Sequence, residues 1–220
     1  LVDKDFDKKV NRTKNRPIAS KKISTNRSLM YIIILCLLAF IILIQFNDLT
    51  ILLGMGSMIP AFLYPYMKRI TYWPQLFLGF TFNWGIVMAW TAYNGYIAYE
   101  IILLYISAIF WTLGYDTIYG VQDMYDDEII GLKSTAIKFK KNIKKFVTMA
   151  YFITLLSIFL LFKNTIGLNI FTIFLSFFAI SLIYQIINFK INNPKSCLQM
   201  FKFNNFSGSI LFFALLSINL

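Results

Sequence analysis

The stretch YDTIYGVQDMYDDEIIGLKSTA, Tyr115 to Ala136, holds Asp116, Asp123, Asp126, Asp127 and Glu128, five of only ten acidic residues in a chain of 220. Asp123 and Asp127 are four apart, so on a helix they stand one turn apart on one face and repel. Asp3 and Asp7 repeat that spacing in the opening LVDKDFDKKV. Each such pair costs a helix a few tenths of a kcal/mol, roughly 0.2–0.5, and more where a membrane lowers the dielectric. A hard divalent cation removes the cost. Mg²⁺ takes one or two carboxylates and completes its octahedron with water and phosphate oxygens, so two acidic clusters accompanied by Lys and Arg read as a clamp for a diphosphate. The plainer reading, a solvated loop, accounts poorly for the scarcity of acids elsewhere and for the usual use of basic residues as the flank of a membrane span.

Asp116, Tyr119, Asp123 and Asp127 follow helical steps, which predicts one stripe running out of an apolar run into the loop. An acid as close to hydrocarbon as Asp116 is costly and is a functional candidate for that reason. Tyr115 and Tyr119 fit an interfacial aromatic belt equally well. The chain contains no histidine, which removes Ser/His/Asp hydrolysis, Cys/His proteolysis, imidazole ligation of haem and the common zinc sites. Cys36 and Cys197 have neither metal-ligand spacing nor segments expected to meet, so no disulfide is expected.

The elements that must hold these residues are membrane helices. Hydrophobic residues make up 58% of the chain and mean hydropathy is +0.65, and LMYIIILCLLAFIILIQF, Leu29 to Phe46, is long enough to cross a hydrocarbon core of roughly 30 Å. Seven apolar segments stand out, about 29–46, 49–67, 74–92, 98–115, 146–162, 165–188 and 206–220, predicting an all-α polytopic bundle and a single membrane domain over 1–220. Twenty of the 21 basic residues fall in alternate connections, leaving Lys163 for the other side. The positive-inside rule then puts the basic loops, and both acidic clusters, in the cytoplasm. The net charge of +11 is assigned to topology and to an anionic leaflet rather than to nucleic acid, because the bases sit between spans.

At these residues the chain resembles the UbiA family of membrane prenyltransferases, in particular its branch acting on 4-hydroxybenzoate in ubiquinone synthesis. That family carries the motifs NDxxDxxxD and DxxxD. Asp123 to Asp127 is similar to the second, and VDKDFDKKVNRTKNRPIAS looks like the end of the first, with Asp3 and Asp7 its last two aspartates. YPYMKRITYWPQLFLGFTFNWG, Tyr64 to Gly85, is similar to a third family segment, YPxxKRxTxxPQxxLG. Beyond Lys140 the likeness is one of hydropathy only. Nine helices are usual in the family, so the seven segments are read as a piece lacking the first two, with the Asn-Asp opening of the first motif lying before Leu1.

The resemblance implies Mg²⁺-dependent transfer of a polyprenyl group from an allylic diphosphate to the ring of 4-hydroxybenzoate. It implies Asp3, Asp7, Asp123 and Asp127 at the metal, with Asp126 as a substitute. Arg12, Arg16 and Lys133 become diphosphate contacts, and Arg69 and Asp116 the groups near the aromatic acid, Arg69 pairing with its carboxylate. For each base the alternative is a surface charge that sets topology. Other acceptors (dihydroxynaphthoate, homogentisate or haem) remain open, as does a divalent-cation channel or carrier, although only Asp116 approaches an intramembrane position. The expected setting is a bacterial cytoplasmic membrane with the site on the cytoplasmic side.

Overall fold

The computed structural model describes residues 1–8 and 13–219. Among these residues the chain is helical without strands: α1 (Lys4–Asp7), α2 (Thr25–Leu43), α3 (Asp48–Ile70), α4 (Pro74–Phe82), α5 (Trp84–Asn94), α6 (Tyr99–Gly120), α7 (Met124–Ile129), α8 (Thr135–Lys138), α9 (Ile143–Leu161), α10 (Ile170–Asn188) and α11 (Pro194–Leu216). Five of them, α2, α3, α6, α9 and α10, are long and apolar enough to cross a bilayer. The expected all-α membrane bundle is what the chain forms.

Two of the seven expected spans differ from their predicted outline. The run 74–92 is two helices, broken at Asn83, whose Nδ2 donates to the Gly79 carbonyl at 2.9 Å, the Ala108 carbonyl at 3.2 Å and Thr112 Oγ1 at 2.8 Å. A broken helix inside an apolar bundle survives only when a neighbour satisfies its freed backbone groups, and Asn83 does so from within the break. The last helix begins at Pro194 rather than near 206, with Asn193 accepting from the amides of Lys195 and Ser196 as its cap. Its polar first half had hidden it from a hydropathy reading.

Helix α6 is the centre of the bundle and packs on α4, α5, α8, α9 and α11. Small residues allow this, as is usual where lipid removes the hydrophobic drive between helices. A Cβ at Gly114 would lie 2.3 Å from the ring of Tyr151 on α9, and one at Gly79 of α4 would lie 2.9 Å from the carbonyl oxygen of Ile109. Ser107 and Thr154 exchange hydroxyl-to-carbonyl bonds across α6 and α9, both at 3.3 Å. A buried network then joins α9, α10 and α11. Tyr151 OH donates to Gln185 Oε1 at 2.7 Å, and Gln185 Nε2 donates to Ser207 Oγ at 3.1 Å and Asn204 Oδ1 at 3.3 Å. Trp111 of α6 donates to the same Asn204 oxygen at 3.0 Å. By contrast α2 buries only Ser28, its apolar side chains being exposed. Both cysteines are free thiols, Cys36 exposed and Cys197 buried.

The close approach at Gly114 makes a measurable difference between two glycines. Gly114→Ala forces the Tyr151 ring to move, so thermal unfolding in detergent should show a loss of about 1–3 kcal/mol. Gly56→Ala, where an added Cβ meets nothing within 4 Å, should be neutral or stabilising by up to about 1 kcal/mol through helix propensity. Equal effects would mean that α6 and α9 are not held by this contact.

Candidate active site

The charged residues collect at one end of the bundle, where α3, α4 and α6 meet the connecting helices. The short helix α7 explains how. Its chain ends in a Schellman turn: Gly131 takes φ +75°, the Leu132 amide bonds to the Asp127 carbonyl at 2.8 Å, and the Gly131 amide bonds to the Glu128 carbonyl at 3.3 Å. Glycine tolerates that left-handed conformation without steric cost. The turn sends residues 132–135 back across the end of the bundle as a strap. Lys133 N donates to the Lys68 carbonyl at 2.7 Å, Lys133 Nζ donates to the Ile70 carbonyl at 3.0 Å, and the Thr135 amide donates to Gln75 Oε1 at 3.0 Å. Thr117 and Thr135 hydroxyls join at 2.7 Å beneath it.

Under the strap lies a cavity of about 210 Å³ whose wall includes Asp3, Asp116, Asp123 and Asp127 together with Arg16, Lys68 and Lys133. Residues separated by more than one hundred positions therefore share one space. Asp3, at the start of α1, accepts from Lys68 Nζ at 2.7 Å and from Arg69 Nη2 at 3.3 Å. Asp116 and Tyr119 come from the last turns of α6, and Asp123 opens α7.

The remaining candidate residues stand nearby in different ways. Asp7 binds Arg16 Nη1 through both carboxylate oxygens, at 3.0 and 3.2 Å, and lines a neighbouring pocket. Asp126 is on α7 but is not part of the cavity wall among the described residues. Arg69 lies behind Asp3, its guanidinium over Phe6 at 4.7 Å and Tyr66 at 5.4 Å, donating to the Val2 carbonyl at 2.9 Å. Arg69 Nε is buried without a hydrogen-bond partner. Arg12 lies outside the described residues. Tyr115 and Tyr119 are not belt residues on a lipid face, since their rings pack on Phe201 of α11, at centroid distances of 5.8 and 4.5 Å.

Several cavity residues escaped the sequence reading. Tyr64, Lys68 and Gln75 stand in the family-like segment Tyr64 to Gly85 and Ser134 in the acidic stretch, all without an assigned site role, yet all four line the cavity. A signal existed: Tyr64 and Lys68 are four apart, and with Pro65 they put one face of α3 on the cavity.

The donors here are hard oxygens. Among the described residues no three carboxylates stand close enough to enclose a metal ion on their own. This suits a cation that takes one or two carboxylates and obtains its other ligands from water and a bound phosphate, and does not suit an all-protein cage. Carboxylates and the cationic side chains of Arg16, Lys68 and Lys133 share this wall, so a polyanionic phosphate entering it would meet fixed positive donors beside any cation the carboxylates hold.

The family model described as the UbiA prenyltransferase family matches residues 1–214. The chain belongs to that family. It is 42% identical over 221 residues to the mitochondrial 4-hydroxybenzoate polyprenyltransferase of Bos taurus, covering 100% of this chain and 60% of that protein. It is 41% identical over 217 residues to 4-hydroxybenzoate geranyltransferase 2 of Lithospermum erythrorhizon, covering 97% of this chain and 70% of that protein. The 220 residues thus span about 60% of the length of the first curated relatives they match. The apo structure of a UbiA homolog from Aeropyrum pernix K1 superposes with a TM-score of 0.84 at 20% identity, covering all of this chain and 82% of the other, which shows the fold.

In this UbiA-family chain the Thr135 end of the strap is held by the amide side chain of Gln75. Gln75→Leu leaves the buried Thr135 amide without its acceptor, a loss of about 1–3 kcal/mol. Hydrogen exchange at residues 132–137 should then speed up while exchange in α9 and α10 is unchanged. Wild-type protection of the strap in this variant would show that Gln75 does not hold it.

Proposed function

We propose that this chain carries the active site of an enzyme that moves a polyprenyl group from an allylic diphosphate to the ring of 4-hydroxybenzoate, with Mg²⁺ as cofactor and ubiquinone as the pathway served. The observation that carries the reading is the single cavity shared by Asp3, Asp116, Asp123 and Asp127 with Arg16, Lys68 and Lys133 at the end of an apolar bundle. Two relatives named for 4-hydroxybenzoate, at 42% and 41% identity, support the acceptor. They are named for different isoprenoid groups, polyprenyl and geranyl.

Asp3, Asp123 and Asp127 are the residues that would hold Mg²⁺, with Asp7 beside Arg16 and Asp126 as further ligands. When bound, the metal supplies positive charge at the diphosphate. Arg16, Lys68 and Lys133, with Arg12, bind and orient the diphosphate oxygens. As the allylic carbon–oxygen bond breaks, negative charge grows on the diphosphate, and these fixed donors stabilise it without reorganising. The electron-rich ring carbon of 4-hydroxybenzoate captures the allylic cation and then loses its proton. Asp116 and Arg69 are assigned to the acceptor, Arg69 to its carboxylate. The apolar bundle keeps water from the cation, which would otherwise be hydrolysed.

The proposed setting is a single membrane domain, with the charged end on the cytoplasmic side of a bacterial membrane or, if the chain follows its curated relatives, in a mitochondrial one. Among alternatives, a cation channel is disfavoured because eight of the ten acids fall in the two clusters at one end of the bundle instead of lining a path through it.

The deciding assay incubates membranes holding the full-length protein with 4-hydroxybenzoate, a polyprenyl diphosphate and Mg²⁺. Prenylated 4-hydroxybenzoate should form, cease with chelator and return with Mg²⁺. Dihydroxynaphthoate or homogentisate turned over in preference would reassign the acceptor. In the same assay Asp123→Asn and Asp127→Asn, which keep size but remove an anionic ligand, should each lower turnover by on the order of 10²-fold or more. Thermal unfolding should remain near wild type. Full turnover in both variants would return these carboxylates to the role of a solvated loop.

A further inference from the structure

The acid-free half of the chain presents a second charged surface. After Glu128 the sequence contains ten lysines and no acidic residue. Five of those lysines, Lys138, Lys140, Lys141, Lys144 and Lys145, fall within eight positions around the start of α9, and all five are exposed. Lys140 pairs with Glu128 at 2.6 Å. Lys138 sits over the ring of Trp73 at 4.4 Å, and Lys144 sits over Phe189 at 5.2 Å while donating to the Ile187 carbonyl at 3.3 Å. The patch therefore bridges the start of α9 and the end of α10.

The positions of these lysines are locally unfavourable. Lys144 and Lys145 occupy the first turn of α9, which has no acid, so like charges crowd together where the helix dipole also disfavours cations. Such a conflict with a local rule calls for a compensating gain. Among the described residues the acid paired at this patch is Glu128, with Lys140, which leaves Lys141, Lys144 and Lys145 able to take an anion from outside.

The surroundings identify its source. Lys145 heads a stripe that continues along α9 through Met149, Phe152, Leu156 and Phe159, which are 64%, 62%, 42% and 52% exposed. Their spacing keeps them on one face. At the level of the lysines, Trp73 packs edge-on against Phe139 and Phe146, which stack on each other at 4.1 Å, an aromatic cluster of the kind that settles at a headgroup boundary. A cationic head above an outward apolar track matches a molecule with an anionic head and acyl chains. A soluble phosphate would use the lysines but not the track.

We propose that the start of α9 is a binding site for an anionic phospholipid, with Lys141, Lys144 and Lys145 on the phosphodiester and the Met149–Phe159 stripe along an acyl chain. The site is separate from the cavity lined by Asp123 and Asp127, and it does not rest on the proposed prenyl transfer.

The test uses full-length protein in neutral detergent, incubated with equal amounts of phosphatidylglycerol and phosphatidylcholine of the same acyl chains, with retained lipid read by native mass spectrometry. Wild type should retain phosphatidylglycerol in preference, and each lysine removed should cut that preference by about fivefold. Lys141→Gln/Lys144→Gln/Lys145→Gln should abolish it, whereas Lys21→Gln/Lys22→Gln, exposed lysines elsewhere, should keep it, and so should Lys145→Arg. Should the triple variant fail to accumulate, wild-type preference must still fall as salt is raised, since exposed charges are screened. Equal retention of both lipids, preference surviving in the triple variant, insensitivity to salt, or displacement by millimolar inorganic phosphate would each overturn the proposal, the last by showing a site for a free anion.

Discussion

Carboxylates gathered at the edge of a hydrocarbon layer repel one another and lose hydration, and the end of this bundle is organised around offsetting that cost. Asp3 meets Lys68 of α3 at 2.7 Å, while Asp7 meets Arg16 at 3.0 Å within the leading segment. The Asp3 pairs with Lys68 and Arg69 tie the leading segment to α3. The second cluster is tied by backbone instead, through the Schellman turn at Gly131 and the strap from Leu132 to Thr135. One side of the cavity is closed by charge and the other by hydrogen bonds. Both devices are needed, because charge pairs alone would let the acids drift with their flexible bases, whereas a strap pinned by Lys68, Ile70 and Gln75 fixes where Lys133 and Ser134 stand.

The interior follows a related rule, that polar groups may be buried only if satisfied. Three amide side chains meet it at the points where helices break or cross. Asn83 bridges the gap between α4 and α5 and reaches α6, Gln75 anchors the strap, and Gln185 joins Tyr151 to Asn204 and Ser207. Glycines at 79 and 114 then bring α4 and α9 against α6. The stripe at the end of α6 is thereby aimed at the cavity by the same contacts that stabilise the bundle.

How much of this could be read beforehand depended on whether the signal was local. Apolar runs revealed the helices and their order, because period and length are properties of a short window. The break at Asn83 was invisible for the same reason: it depends on the Ala108 carbonyl and Thr112, which no window around residue 83 contains. The acidic spacing of Asp123 and Asp127 was legible, and so was the company they keep with Asp3 and Asp116, since like charges so scarce in a chain ask for a common partner. Lys68 was misread as one more flank charge, because its pairing with Asp3 spans 65 positions. Gln75 stood out only as a letter of the family-like segment, and its role stayed hidden because its partner, the Thr135 amide, is 60 positions away. Arg69 was legible as a residue of interest but not in its contacts, which run to Val2, Asp3 and Phe6.

Charge is also divided along the chain in a way that helical packing alone does not require. All ten acids precede Ile129, and the lysines of the remaining chain have only Glu128 within their reach in sequence. The Lys140–Glu128 pair at 2.6 Å is where the two halves meet. On one side of that pair the electrostatics turn inward, toward a cavity whose wall sets carboxylates beside Arg16, Lys68 and Lys133. On the other side they turn outward, toward the lipid boundary. A chain with acids interspersed among the lysines of α9 would have neutralised its own surface and gained helix stability at the first turn. Its absence of acids there keeps an uncompensated positive surface a few residues from the strap that covers the cavity.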